Sequence, residues 1–71
     1  MIKLIPACSL NIGDLILHND YPAAVIRVVN DGNGMVWVCW GYEPADCITM
    51  PAEEPVKVVG FIEPAPDYVR P

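Results

Sequence analysis

The side chains that could carry out covalent chemistry in this chain are its cysteines and its one histidine: Cys8, His18, Cys39 and Cys47. A cysteine acts as a nucleophile when a histidine lies within hydrogen-bond reach and a third group orients the imidazole ring. Asp14 or Asp20, on either side of His18 in the sequence, would be that third group. The spacing does not require such a triad, and Cys39 lies in an apolar run, where cysteine behaves as a small hydrophobic residue. We therefore predict no catalytic residues and a protein that is not an enzyme.

The same four side chains are the candidate metal ligands. Zinc sites usually bring their ligands in close pairs, and the sequence has neither a Cys-x-x-Cys nor a His-x-x-x-His pair. We therefore predict no metal and no cofactor. Three cysteines are an odd number and cannot all pair within one chain, so reduced thiols in a cytoplasmic protein are the expected state.

Aromatic side chains form a further candidate site. Tyr21, Trp37, Trp40 and Tyr42 fall at predicted strand ends and loops, and acidic residues stand beside Tyr21 and Tyr42. Such a set is able to hold a cation over its ring faces. The alternative is that the two tryptophans are core or interface anchors, which is the commoner use of tryptophan in a strand.

The elements that must position these side chains are short strands. Two apolar runs, 23–29 and 35–40, are joined by the Asn/Asp/Gly loop 30–34, and this pattern predicts an antiparallel hairpin. Eight prolines leave no long segment with an apolar stripe of helical period. The predicted strands cover residues 14–18, 24–30, 35–41, 47–50 and 56–62, with a 3-10 turn at 51–54 before the last strand. The sequence thus predicts one all-β domain over residues 1–62 and an extended, Pro-rich tail over 63–71.

Alternation of side chains along these strands predicts an outer surface. If Arg27 and Lys57 face water, then Val25, Val29 and Val59 also point outward. Trp37 and Trp40 lie three residues apart and must point to opposite faces of a regular strand. We predict Trp40 inward and Trp37 outward. The predicted protein-binding residues are therefore Val25, Val29, Trp37 and Val59.

Several segments of the chain resemble the SH3-like small β-barrels, the group that includes Tudor and KOW modules. They are Ile-Gly-Asp-Leu-Ile at 12–16, the hairpin over 23–40, and Ile-Thr-Met-Pro at 48–51 leading through a turn into Val-Lys-Val-Val at 56–59. The resemblance implies a five-stranded SH3-like barrel. It also implies a use for the aromatic set, because Tudor-like barrels bind methylated amines in aromatic cages. The sequence differs from KOW modules at 21–23, where Tyr-Pro-Ala replaces their usual glycine and basic residues.

Composition decides between classes of partner. The net charge is −5, and the four Lys and Arg residues are dispersed along the chain, so direct binding to nucleic acid is not expected. The 54% hydrophobic content exceeds what a thin core can absorb, which favours a homo-oligomer or a protein partner. No apolar run reaches the length of a signal-peptide core or a membrane span, so we expect no membrane partner.

The acidic residues of the chain indicate an alternative function. The predicted loops and the tail hold six of them, namely Glu43, Asp46, Glu53, Glu54, Glu63 and Asp67. They are either simply solvated or a mimic of nucleic-acid phosphates. The sequence therefore predicts a non-enzymatic module that binds protein or assembles with itself. The alternative is a small acidic inhibitor, of the kind phages make, of a nucleic-acid-handling protein.

Overall fold

The computed structural model describes residues 2–63, and these residues form seven strands in two antiparallel sheets. The strands are β1 (Lys3–Pro6), β2 (Asp14–His18), β3 (Tyr21–Ala24), β4 (Arg27–Asn30), β5 (Met35–Cys39), β6 (Cys47–Pro51) and β7 (Pro55–Phe61). The four-stranded sheet has the order β1-β7-β2-β3, and the three-stranded sheet has the order β4-β5-β6. Short 3-10 turns occur at Ala7–Ser9 and Pro44–Asp46, and residues 2–63 contain no α-helix. The predicted all-β class is confirmed.

The strand count differs from the predicted five in two segments of the chain. β1 is an additional strand, and it pairs with β7 along its whole length. The strand predicted over 24–30 is in fact split between β3, in the four-stranded sheet, and β4, in the three-stranded sheet. The chain changes sheets at Val25 and Ile26: the Val25 N–H donates to the Asp14 carbonyl, and the Ile26 N–H donates to the Cys39 carbonyl.

This corner makes the predicted outward orientation of Val25 wrong. Val25 is only 1% exposed and belongs to the core. Alternation holds only along a continuous strand, and the corner breaks it between Ala24 and Arg27. Downstream of the corner the predicted pattern is confirmed, since Arg27 and Val29 are exposed.

Two hairpins show why the chain turns where it does. Asn19 and Asp20, between β2 and β3, have φ of 49° and 68°, the positive values that a two-residue type I′ turn requires. The loop between β4 and β5 confirms the predicted hairpin. There the Asp31 carboxylate accepts the Asn33 and Met35 N–H groups at 2.7 and 3.2 Å.

The core lies between the two sheets. It is formed by apolar side chains from both sheets and from the segment after β1: Ala7, Leu10, Ile16, Val25, Val36, Val38, Val56 and Val58. The predicted turn at 51–54 is confirmed as a single 3-10 turn, in which the Glu54 N–H donates to the Pro51 carbonyl at 3.0 Å, an i→i+3 hydrogen bond. The predicted tail over 63–71 lies outside the described residues from position 64 onward.

Candidate functional site

The outer surface of the three-stranded sheet carries a row of side chains that crosses all three strands. Val29 of β4 lies opposite Trp37 of β5, and Trp37 lies opposite Thr49 of β6. Directly opposite residues of an antiparallel pair share a face, so these three side chains point the same way. The inward residues on either side of Trp37 are Val36 and Val38, both 0% exposed. The row therefore points away from the core.

Exposure makes this row a candidate contact surface. Trp37 is 51% exposed and Val29 is 37% exposed. Arg27 and Met35, two residues before Val29 and Trp37, flank the row on the same side of the sheet. We call these five residues, Arg27, Val29, Met35, Trp37 and Thr49, the Trp37 face. The predicted outward orientation of Trp37 is confirmed, and about half of this large side chain is left in water.

A disulfide closes one end of this sheet. Cys39 and Cys47 lie directly opposite each other on β5 and β6 and are bonded, whereas Cys8 is free and exposed. The expectation of reduced thiols is therefore wrong for this pair. The sequence could not show it, because cross-strand register and not spacing brings the two sulfurs together. Neither sulfur is then a thiol able to act as a nucleophile.

The second feature is a cleft between the two sheets. Its volume is about 380 Å³, and its walls include Ile16, Val56, Ile48 and Met50. Ile48 points inward from β6, opposite Val38, yet it remains 36% exposed. β6 is an edge strand, and the cleft between the two sheets opens along it. The cleft also has one acidic and one basic residue, Glu54 and Lys57.

His18 and Trp40 lie at this cleft and connect the two sheets. Their ring centroids are 4.4 Å apart with the planes tilted by 36°. His18 ends β2, and Trp40 follows β5 and packs against the core. The predicted inward orientation of Trp40 is confirmed. Its contact with His18 could not be predicted, because the two residues are far apart in sequence and only the packing of the sheets brings them together.

The predicted aromatic cage does not assemble from its four members. Trp37 and Trp40 lie on opposite faces, and the Tyr42 side chain in the loop after β5 is 96% exposed. Tyr21 lies opposite His18 in the β2–β3 hairpin and is 76% exposed. The ring pair found among residues 2–63 is His18 with Trp40. The four rings thus divide between the Trp37 face, the cleft, a hairpin end and a loop.

The predicted protein-binding residues also do not lie on one surface. Val29 lies on the Trp37 face, but Val25 is buried and Val59 lies in β7 of the other sheet. Val59 is the extra residue of a β-bulge, since Leu15 pairs with Gly60 while Ile16 pairs with Val58. Of the predicted protein-binding residues, Val29 and Trp37 are brought together and Val25 and Val59 are not. Thr49 was not among the predicted binding residues, because only the strand register places it opposite Trp37. Arg27 was predicted to face outward with Val29, and it is exposed there.

Several polar side chains stabilise turns. Asp14, 8% exposed, accepts the Asn11 N–H at 2.8 Å, so its carboxylate holds a turn and does not orient His18. Glu43 and Asp46 form a reciprocal capping box around the second 3-10 turn. Within residues 2–63 no group of three His, Cys, Asp or Glu side chains is arranged to hold a metal ion. The described part of the chain also has no helix with the length and apolar character needed to cross a membrane.

Comparisons with protein-family models, with curated proteins and with solved structures gave no significant match. The function proposed below therefore rests on the Trp37 face and its surroundings.

Proposed function

We propose that this protein is a non-enzymatic contact module that binds protein or assembles with copies of itself, and that the Trp37 face is its contact surface. The observation that carries the proposal is the 51% exposure of Trp37 at the centre of a three-stranded sheet. Tryptophan is enriched among residues that dominate binding energy, and a paired strand presents it without a loop that must become ordered on binding.

The surroundings of Trp37 support this use. Val29 and Met35 extend the apolar surface on both sides, and Arg27 and Thr49 give it a polar margin. A central apolar anchor with a polar rim is typical of protein contacts. Small-molecule sites, in contrast, are usually concave, and this surface lies on the outer side of a sheet.

The second part of the proposal concerns the relationship of this fold to the SH3-like barrels. We infer an SH3-like relationship in which β3 and β4 together correspond to one bent strand and β1 is an addition. Support comes from the order of elements: β2, β3–β4, β5 and β6 follow one another as antiparallel neighbours, and β7 returns to pair with β2. The relationship concerns the fold and implies no particular ligand.

A pair of aromatic substitutions tests the proposed function. Trp37→Ala removes the centre of the face, while Tyr42→Ala removes an aromatic ring of at least equal exposure that lies outside the face, in the loop between β5 and β6. We expect both variants to fold. Trp37→Ala should lower the affinity for a bound protein, or for a second copy, by about tenfold or more, in line with a loss of about 2 kcal/mol at a hot spot. Tyr42→Ala should change the affinity by less than about twofold, because rim and loop contacts contribute little.

Light scattering measures self-association, and affinity capture with the immobilised chain measures binding of other proteins. Identical behaviour of Trp37→Ala and the wild type in both measurements would reject the Trp37 face as a contact surface.

A further inference from the structure

β4 differs from the other edge strands of this protein. The two sheets expose four edges: β1, β3, β4 and β6. Three of these strands contain proline, at Pro6, Pro22 and Pro51, and proline at an edge hinders pairing with another chain because it has no N–H to donate. The β4 sequence, Arg-Val-Val-Asn, contains no proline. In the part of the chain that the structure describes, β4 has a neighbouring strand on one side only.

The hydrogen bonds of β4 show which of its backbone groups point to the open side. The Asp31 N–H donates to the Met35 carbonyl at 3.1 Å, toward β5, and this pair continues the register of Val29 with Trp37. The Ile26 N–H also donates to β5, at the Cys39 carbonyl, but it lies at the corner outside this register, because Cys39 pairs with Arg27. Hydrogen bonding alternates along an antiparallel strand, so Val29 also bonds to its partner Trp37 on that side. The N–H and C=O groups of Val28 and Asn30 therefore point away from β5.

We propose that β4 pairs antiparallel with β4 of a second copy of this chain, about a two-fold axis at Val29. The proposed pairing rests on the self-assembly proposed above, and it specifies a second copy as the partner and the register in which the two β4 strands pair. In this register Val28 of each copy lies opposite Asn30 of the other, so every outward-pointing N–H and C=O of the two strands is used. Registers centred on Val28 or on Asn30 pair one of these two residues with itself and leave the other outside the β4–β4 pair.

Side chains agree with the same register. It places Arg27 of one copy opposite Asp31 of the other, twice, because a two-fold contact repeats every pair. Opposite charges directly across an antiparallel pair are stabilising. The two Val29 side chains meet at the axis, in the closely spaced type of pair. The rows of the two Trp37 faces then run into one another across a continuous six-stranded sheet.

A cysteine placed at the axis tests the pairing directly. Facing residues of a closely spaced antiparallel pair have Cα atoms about 4.5 Å apart, within reach of a disulfide. The double variant C8S/V29C should therefore give a covalent dimer under mild oxidation, and peptide mapping should place the link between position 29 of one copy and position 29 of the other. The matched control is C8S/T49C, in the same row. Position 49 would lie about 24 Å from its counterpart, about five strand spacings away, and should not cross-link.

A double-mutant cycle on the charged pair at positions 27 and 31 tests the register of the β4–β4 pair. Arg27→Glu should raise the dimer dissociation constant by about tenfold, since it puts two acidic residues opposite each other at two places. In the Asp31→Asn background the same substitution should have a clearly smaller effect. Asparagine is used there because its amide oxygen keeps the acceptor that the Asn33 and Met35 N–H groups need.

The outcomes separate this inference from the proposed function. Cross-linking at 29 but not at 49, together with coupling between positions 27 and 31, supports the β4 pairing. A dimer that Trp37→Ala disrupts but that neither cross-links at 29 nor responds to Arg27→Glu overturns the pairing and leaves the proposed function standing. A mass that stays monomeric at every concentration overturns the pairing. Affinity capture of other proteins by the wild type and by Trp37→Ala then tests the proposed function by itself.

Discussion

Gly13 joins three parts of the chain just before β2 begins. Its N–H donates to the Val25 carbonyl and its carbonyl accepts the Ile62 N–H, both at 2.8 Å. Its φ is +101°, and a Cβ atom there would lie 2.5 Å from the Ile62 carbonyl oxygen and 2.7 Å from the Phe61 ring. The position therefore needs glycine both for its backbone conformation and for the space around it.

Gly13→Ala should lower the free energy of unfolding by about 3 kcal/mol, from a positive φ costing about 1–2 kcal/mol and overpacking costing about 1–3 kcal/mol. Gly32→Ala is the matched control, since Gly32 has φ of +81° and no atom within 4 Å of the added Cβ. It should cost only about 1–2 kcal/mol. Urea denaturation of both variants measures the difference, and equal losses would show that Gly13 is not packed as described.

The β2–β3 hairpin is fixed by its turn. Asn19 and Asp20 both adopt positive φ, which Asn and Asp tolerate and glycine adopts freely. The strands predicted from the sequence do not include this hairpin, although Asn-Asp between two short apolar segments is a recognisable turn signal.

Asp20→Gly should raise the free energy of unfolding by up to about 1 kcal/mol, because it removes the cost of a positive φ at a side-chain-bearing residue. Asp20→Val, with a β-branched side chain at the same φ of 68°, should lower it. Thermal unfolding of the two variants is the measurement. A destabilised Asp20→Gly would mean that the aspartate contributes more through its side chain than its backbone costs.

The disulfide acts on the β5–β6 hairpin. Cys39 and Cys47 are separated by 8 residues, a short loop for which cross-linking contributes about 2–3 kcal/mol by restricting the unfolded chain. Cys47→Ala should therefore lower the free energy of unfolding by about 2–3 kcal/mol in oxidising buffer. Reductant should destabilise the wild type by a similar amount and leave Cys47→Ala unchanged. Cys8→Ala, which removes the free cysteine, should respond to reductant as the wild type does.

Some features of the strands could be predicted from the sequence and others could not. Within β5, Val36 and Val38 inward and Trp37 outward were predictable, since alternation is a property of the strand itself. The corner at Val25 was not, because nothing in a continuous apolar run marks where the chain leaves one sheet for another. The contact of His18 with Trp40 and the Cys39–Cys47 bond likewise depend on register and packing, which a single sequence does not specify.

The two sheets enclose a core of aliphatic side chains and leave Trp37 outside it. The high hydrophobic content predicted a partner, and part of that excess lies on the Trp37 face. Among the edge strands of residues 2–63, the adjoining β4 is the one without proline. From these two features together we expect two copies to associate through this side of the molecule.

The two tryptophans report on this association separately, because each gives its own indole N–H signal in a nitrogen-15 correlation spectrum. Over a dilution series of the wild-type chain, the Trp37 indole signal and the Val28 to Asn30 amides should shift with concentration. The Trp40 indole, at the cleft with His18, should stay in place. A spectrum that does not change with concentration, or changes confined to Trp40 and the cleft, would show that two copies do not associate through β4 and the Trp37 face.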